Sequence, residues 1–349
     1  MAGSEMNHRD RVLATLQGER VDPIAVFSGM GNLTVHGLED CGWRFQEIHL
    51  DSHKMAAAAA STYELFGFES VVVPFDVGVE AEALGCGINY YEEAEDIVYP
   101  TVSTKLANTV EEWDLRLPDS FLTKGRIPLV VDAIRELKED VGDKVAVGAW
   151  VLGPYTLAGQ LLELDDLYKK SFKKPDAVHR VLDELEGFLI SLARQYMEAG
   201  ADYMTVREMG AAGDVLSPRM FGSLIQPHLQ NVFAALDSPK ILHICGDTSR
   251  TIEQMADCGA DAISVDQKND IRQTREKLGR DAILSENLDP YNVLVTGSVG
   301  QIEEAVRDIV DSGVNAVWPG CDIWPSVPKQ NMKAFIQATR KYGKASTKG

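Results

Sequence analysis

The sequence is poor in cysteine, poor in positive charge and free of long apolar runs. Five cysteines in 349 residues, Cys41, Cys86, Cys245, Cys258 and Cys321, are too few, too scattered and odd in number for a disulfide framework. A special role for any of them is then metal binding or reactivity. With 34 basic against 53 acidic residues the net charge is -19, and such a surface repels phosphate backbones and anionic headgroups. Neither nucleic acid nor a membrane surface is expected as a partner. No apolar stretch approaches the roughly 18 residues of a spanning helix, and the polar start from Met1 to Asp10 has no signal-peptide block. A cytoplasmic location is expected. Nucleotide signatures are missing too. Gly29 and Gly31 are followed by Thr34, and Gly85 and Gly87 by Tyr90, so no G-x-G-x-x-G follows the first strand, and there is no P-loop.

What the chain does have is 45% hydrophobic residues, enough to bury a sizeable core. From Pro175 to Gly200, apolar residues at Val178, Val181, Leu182, Leu185, Phe188, Leu189, Leu192 and Tyr196 keep the spacing of one buried helix face. Proline opens this stretch and glycine closes it, as helices favour. Between such helices lie short β-branched runs: Ile24 to Ser28, Ser70 to Pro74, Ala146 to Val151, Tyr203 to Glu208, Lys240 to Cys245, Ala262 to Gln267, Ala282 to Asn287 and Ala316 to Cys321. A weak repeat sets their phase. Gly200-Ala-Asp, Gly259-Ala-Asp and Gly313-Val-Asn, with Gly67-Phe-Glu as a looser copy, each stand between a helical segment and a strand, where a left-handed glycine turns the chain. The strands then end in polar or reactive residues.

This alternation predicts the α/β class and a (β/α)8 TIM barrel with an N-terminal extension, one domain over residues 1–349, whose active site collects at the C-terminal strand ends. A doubly wound parallel sheet is the other arrangement the pattern allows, since periodicity does not show whether a sheet closes. Residues 92–114 hold neither period and read as an insertion, with a hairpin at Ile97 to Ser103.

The sharpest local feature is His243-Ile244-Cys245 at the end of the fifth run. Side chains two apart on a strand share a side, so a nitrogen and a sulfur can be presented together. The bland reading is an interior histidine beside a small buried cysteine. Cys321, at the end of the last run, supplies the candidate third ligand if the barrel closes, and three ligands with one open position is the pattern of catalytic zinc. Cys41, Cys86 and Cys258 read as packing residues. Strand-end carboxylates give candidate catalytic groups in Glu208, Asp76 and Asp289, with Glu80 and Asn287 as candidate contacts to a cofactor. Glu208 is the foremost of them, expected to approach the His243 strand and to fill the open metal position before substrate arrives. Arg207, its neighbour, suits an anionic substrate group. His228 reads as a packing or capping residue within a helix from Ser217 to Leu236.

Gly200-Ala-Asp, Leu216-Ser217-Pro218-Arg219-Met220-Phe221, Pro227-His228, Leu242-His243-Ile244-Cys245-Gly246, Glu286-Asn287-Leu288-Asp289-Pro290 and Trp318-Pro319-Gly320-Cys321 together resemble the uroporphyrinogen decarboxylase superfamily, over roughly residues 7–342. Within it, H-x-C with the late P-G-C resembles the zinc-dependent methylcobamide:coenzyme M methyltransferases of methanogenic archaea. The resemblance implies one Zn²⁺ per chain on His243, Cys245 and Cys321. It further implies coenzyme M as the thiol substrate, and a methylcobamide presented by a transient corrinoid protein partner. Coenzyme M sulfur would attack the methyl of the methyl-cob(III)amide, giving methyl-coenzyme M and cob(I)amide. Asp76, Glu80 and Asp289 are then expected to orient the ligands or the corrin edge. A decarboxylase would need arginines near the N-terminus for its porphyrinogen carboxylates, and Val21 to Met30 has none. Transfer to tetrahydrofolate, a further alternative, is expected of relatives that lack the zinc triad.

Overall fold

The computed structural model describes residues 6–114, 120–285 and 287–344, so Glu286 and both chain ends lie outside the described residues. Ten strands appear among the described residues: β1 (Ala25–Val26), β2 (Ser70–Val73), β3 (Gly87–Asn89), β4 (Thr101–Thr104), β5 (Ala146–Leu152), β6 (Tyr203–Arg207), β7 (Lys240–Ile244), β8 (Ala262–Val265), β9 (Ile283–Ser285) and β10 (Ala316–Val317). Eight of them form one parallel sheet in the order β1-β10-β9-β8-β7-β6-β5-β2, and each overlaps one of the eight runs read from sequence. The two edges of this order meet. Glu69 N donates to Val26 O at 2.9 Å, and Ser70 Oγ accepts from Ser28 N at 3.0 Å and donates to Ser28 O at 3.2 Å. The seam is thus closed by one backbone bond, a serine hydroxyl and the Glu69 carboxyl group, which accepts from Val26 N at 3.3 Å, and the fold is a (β/α)8 barrel with the helix His8–Leu16 ahead of its first strand.

All seven residues of β5 are buried, as expected of a parallel strand covered on both faces. Outside the sheet, the helix Pro175–Ala199 buries Val178, Val181, Leu182, Leu185, Phe188, Leu189 and Leu192, each large side chain stabilising the fold by about 2 kcal/mol. The repeat glycines do what their positions ask: Gly67, Gly200, Gly259 and Gly313 all have positive φ. No helix among the described residues is long and apolar enough to cross a membrane.

The insertion differs in detail from expectation. Its hairpin pairs β4 with β3, so the first arm is Gly87–Asn89, ahead of residue 92, and Ile97 to Pro100 form its loop side. A three-residue strand rich in glycine and asparagine carries too little period for sequence to register it. Seven of the barrel strands also stop one to four residues short of the runs, because the chain leaves the ladder to build the mouth, whereas β5 runs one residue further, to Leu152.

Candidate metal centre and its cavity

β7 and β10 deliver the three ligand-type side chains. His243 lies in the last ladder turn of β7, and Cys245 follows the strand, just before Gly246, whose φ of +85° reverses the chain. A Cβ at Gly246 would also stand 3.0 Å from the Ala212 Cβ, so two constraints favour glycine there. Asn269 pins this turn. Its Nδ2 donates to Gly246 O and Asp266 O, both at 3.0 Å, and its Oδ1 accepts from Thr248 N and Thr248 Oγ1. β10 is prolonged past its ladder: Leu288 N donates to Trp318 O and Gly320 N to Leu288 O, while the buried Trp318 packs edge-on against Phe27. That extension carries Cys321 to the mouth.

The three converge. His243 Nε2 is 3.0 Å from Cys245 Sγ, which is 3.6 Å from Cys321 Sγ, and one ligand atom from each lies within 4.8 Å of the others. Ser264, the ladder neighbour of His243 on β8, sits 2.7 Å from His243 Nδ1. With Nδ1–H donating to that hydroxyl, the Nε2 lone pair faces the sulfurs. Burial, aided by the charge of Arg207, pushes the imidazole pKa down to about 3, so the ring is neutral at pH 7. The Cys321 thiol is drawn below its usual value by a hydrogen bond from Cys245, whose own thiol that bond and burial push up.

Cys321 borders a cavity of about 540 Å³. Its walls come from three places: Phe75 to Val77 after β2, Ile97 to Thr101 of the insertion, and Cys321 to Ser326 after β10. Arg207 completes it as the one basic residue in that lining. The guanidinium lies over the Trp150 ring at 4.6 Å and donates to Asp322 through Nη2 at 2.6 Å and Nη1 at 3.2 Å. Burial opposes its charge, but Asp322, Cys321 and Cys245 outweigh the loss of water and keep it protonated.

Of the carboxylates singled out from sequence, Asp76 alone borders the cavity. Its oxygens are already bound by Arg126 at 2.7 and 2.9 Å, by His49 Nδ1 at 2.9 Å and by Gly78 N at 3.0 Å. Burial pushes its pKa up, and the hydrogen bonds from His49 and Arg126 overcome that and hold it well below the usual range. The placement expected of Glu208 is corrected. It lies outside the group of converging ligand atoms, because the start of the helix Pro154–Leu161 claims both oxygens: Tyr155 N donates at 3.0 Å, Thr156 N at 2.7 Å and Thr156 Oγ1 at 2.5 Å. Glu208 is a helix cap in all but sequence position, and burial raises its pKa to about 7. Glu80 accepts from Leu152 N at 2.9 Å, and its other oxygen is buried without a partner. Asp289 caps its own loop, accepting from Tyr291 N and Asn292 N at 3.0 and 2.8 Å. Asn287 donates to Asn269 O at 3.0 Å, which ties it to the amide that pins the Cys245 turn instead of to the cavity.

Sequence reasoning missed Tyr99, Asp322, Ser264 and Asn269. Ser264 had a readable signal, since parallel pairing of the fifth and sixth runs puts it beside His243. Tyr99 had none, lying where neither period holds.

Three comparisons with known proteins bear on the family of the chain. The family described as "Uroporphyrinogen decarboxylase (URO-D)" matches residues 7–342. A methylcobamide:CoM methyltransferase of Methanosarcina barkeri is 32% identical over 345 residues, covering 97% of this chain and 99% of that protein. Another of the same description from Methanosarcina acetivorans is 29% identical with the same coverage. Among solved structures, a methyltransferase from Methanosarcina mazei superposes with a TM-score of 0.91 at 31% identity, covering 97% of this chain and 99% of that one.

Proposed function

Because the chain belongs to the uroporphyrinogen decarboxylase family, we propose that it is a zinc-dependent methyltransferase that moves a methyl group from a methylated corrinoid protein to the thiol of coenzyme M. The observation that carries the reading is the meeting of His243, Cys245 and Cys321 beside a cavity. The donor set fits zinc. Ligand bonds of about 2.3 Å to sulfur and 2.0 Å to nitrogen at tetrahedral angles ask for separations of about 3.8 Å between sulfurs and about 3.5 Å between nitrogen and sulfur. The atoms stand at 3.6 and 3.0 Å, so widening by about half an ångström accommodates the ion. One zinc held there supplies Lewis acidity that turns a thiol into thiolate at neutral pH.

The chain's own residues do the rest. Ser264 fixes the imidazole so that Nε2 is the ligand atom, and burial keeps that ring uncharged. Arg207 sets a positive charge beside two thiolates. The cavity excludes water from the incoming sulfur on its apolar side, through Phe75, Ile97 and Trp324. The open mouth above them is where the corrinoid partner would present its methyl group.

A porphyrinogen decarboxylase is the weaker reading, for the cavity offers Arg207 alone among its lining residues as countercharge to a polycarboxylate, and Asp322 already holds it. The discriminating experiment combines metal analysis with loss of free thiol when methylcobalamin and coenzyme M are added, then with tetrahydrofolate as acceptor. About one zinc per chain and alkylation of coenzyme M are expected. A metal-free preparation that consumes no thiol would defeat the proposal.

A further inference from the structure

We propose that Arg207 and Tyr99 form an anion-recognising end of the cavity that selects thiols bearing a sulfonate over neutral thiols, with Asp322 occupying the arginine until substrate arrives. This rests on the reading of the protein as a coenzyme M methyltransferase. Three observations carry it.

Arg207 is the ladder partner of His243 across β6 and β7, and Asp322 is the residue after Cys321. The Arg207–Asp322 pair therefore stands one strand spacing, about 5 Å, from the groups that would hold the sulfur. A two-carbon tether between thiol and sulfonate bridges such a gap. Second, Arg207 is buried with its plane resting on Trp150, so its two terminal nitrogens present a fork suited to a planar or tetrahedral oxyanion. Third, the Tyr99 ring, in the lining of the same cavity, is fixed by edge-on contacts with Phe45 at 4.9 Å and His49 at 5.8 Å. Its hydroxyl has no hydrogen-bond partner among the described residues, although the residue lines the cavity. A donor held still with nothing to donate to is a donor for ligand. Asp322 differs from these two. Its side chain is one-third exposed, so it can leave the fork for water when a competing anion enters.

The test uses the purified, zinc-loaded protein with methylcobalamin as donor, comparing coenzyme M with 2-mercaptoethanol, which keeps the thiol and replaces the sulfonate by a hydroxyl. Wild type should show the lower KM for the sulfonated thiol. Tyr99→Phe should raise KM for coenzyme M about tenfold and Arg207→Gln about a hundredfold, from loss of charge-assisted hydrogen bonds, so that the ratio of the two KM values collapses. Asp322→Asn should move it the other way, lowering KM for coenzyme M about tenfold, a gain that damage to the fold does not produce. Zinc content, measured on each variant, separates recognition from loss of the centre. If wild type alkylates both thiols with equal KM, or if Tyr99→Phe leaves the ratio unchanged, the inference is overturned while the methyltransferase reading stands. If wild type alkylates neither thiol, both fall together.

Discussion

Two trios of metal-capable side chains gather among the described residues, and they differ in what their atoms already do. His243, Cys245 and Cys321 meet at the mouth of the barrel; Asp183, Glu186 and His228 meet between two outer helices. Both pass the same test of distance. In the outer trio, however, the histidine and Glu186 are already engaged: His228 Nδ1 donates to Glu186 Oε1, its Nε2 lies 2.7 Å from His179 Nδ1, and Asn231 donates to Glu186 Oε2 at 3.1 Å. The carboxylates there meet an imidazole that can carry their countercharge. At the mouth, only Nδ1 of His243 is held by a neighbouring hydroxyl, and the other atoms face one another beside an open cavity. Proximity of ligand types is common to both; ligand atoms that bond chiefly to one another, with room beside them, belong to one.

The largest effect that would sharpen this contrast comes from Cys321→Ser. Loss of partners that merely orient a ligand costs about 10- to 100-fold in metal affinity or activity, so loss of a ligand should cost more than about 100-fold in methyl transfer and take zinc from about one per chain toward zero. Glu186→Gln, in the outer trio, should keep both. Full zinc in Cys321→Ser, or its loss in Glu186→Gln, would break the comparison. Ser264→Ala is the next step down. It frees His243 Nδ1 and leaves the ligand atom in place, and zinc affinity measured by chelator competition should fall about tenfold.

How much of this was open to reading depended on whether a residue's partners are local. The eight barrel runs showed themselves through β-branched stretches between glycine-ended helices, and the H-x-C spacing alone puts His243 and Cys245 on one side. Cys321 could be added because closure of a barrel brings all strand ends to one face. Glu208 marks the limit. As a strand-end carboxylate beside the His243 strand it looked like a ligand, yet Tyr155 N and Thr156 N, brought over by the loop after β5, reach it first. No period in the sequence ranks competing donors. Tyr99 and Asp322 were hidden for a related reason: their meaning lies in a cavity walled by an insertion and two loops, none of which has a repeat.

Glu80 tests the contrast from a third side, since it has an unclaimed oxygen but stands outside the lining of the cavity at the mouth. Burial raises its pKa from 4.5 to about 7. A carboxyl raised in the folded state favours folding fully below the unfolded value, and that contribution is lost as pH climbs through the folded one. Stability should therefore decline between pH 4.5 and 7 by up to roughly 3 kcal/mol from this group. Denaturant melts of Glu80→Gln across that window should show a shallower decline than wild type; an equal slope would place the titration elsewhere.

The smallest effect is expected of His228→Gln. The amide can still donate to Glu186 but carries neither charge nor imidazole nitrogen, and Asp183 is largely exposed. Ion pairs of this partly wet kind contribute about 1 kcal/mol or less, which for a chain of this length is a fall of about 2 °C in Tm, with methyl transfer unaltered. The same variant offers the sharpest way to refute the division of roles. Anything that binds the folded state alone raises its melting point, so a second equivalent of zinc should leave the Tm of zinc-loaded wild type where it was. Were that second equivalent to raise the wild-type Tm and fail to raise that of His228→Gln, the outer trio would be a metal site as well, its hydrogen bonds yielding to the ion, and satisfied lone pairs would no longer tell the two trios apart.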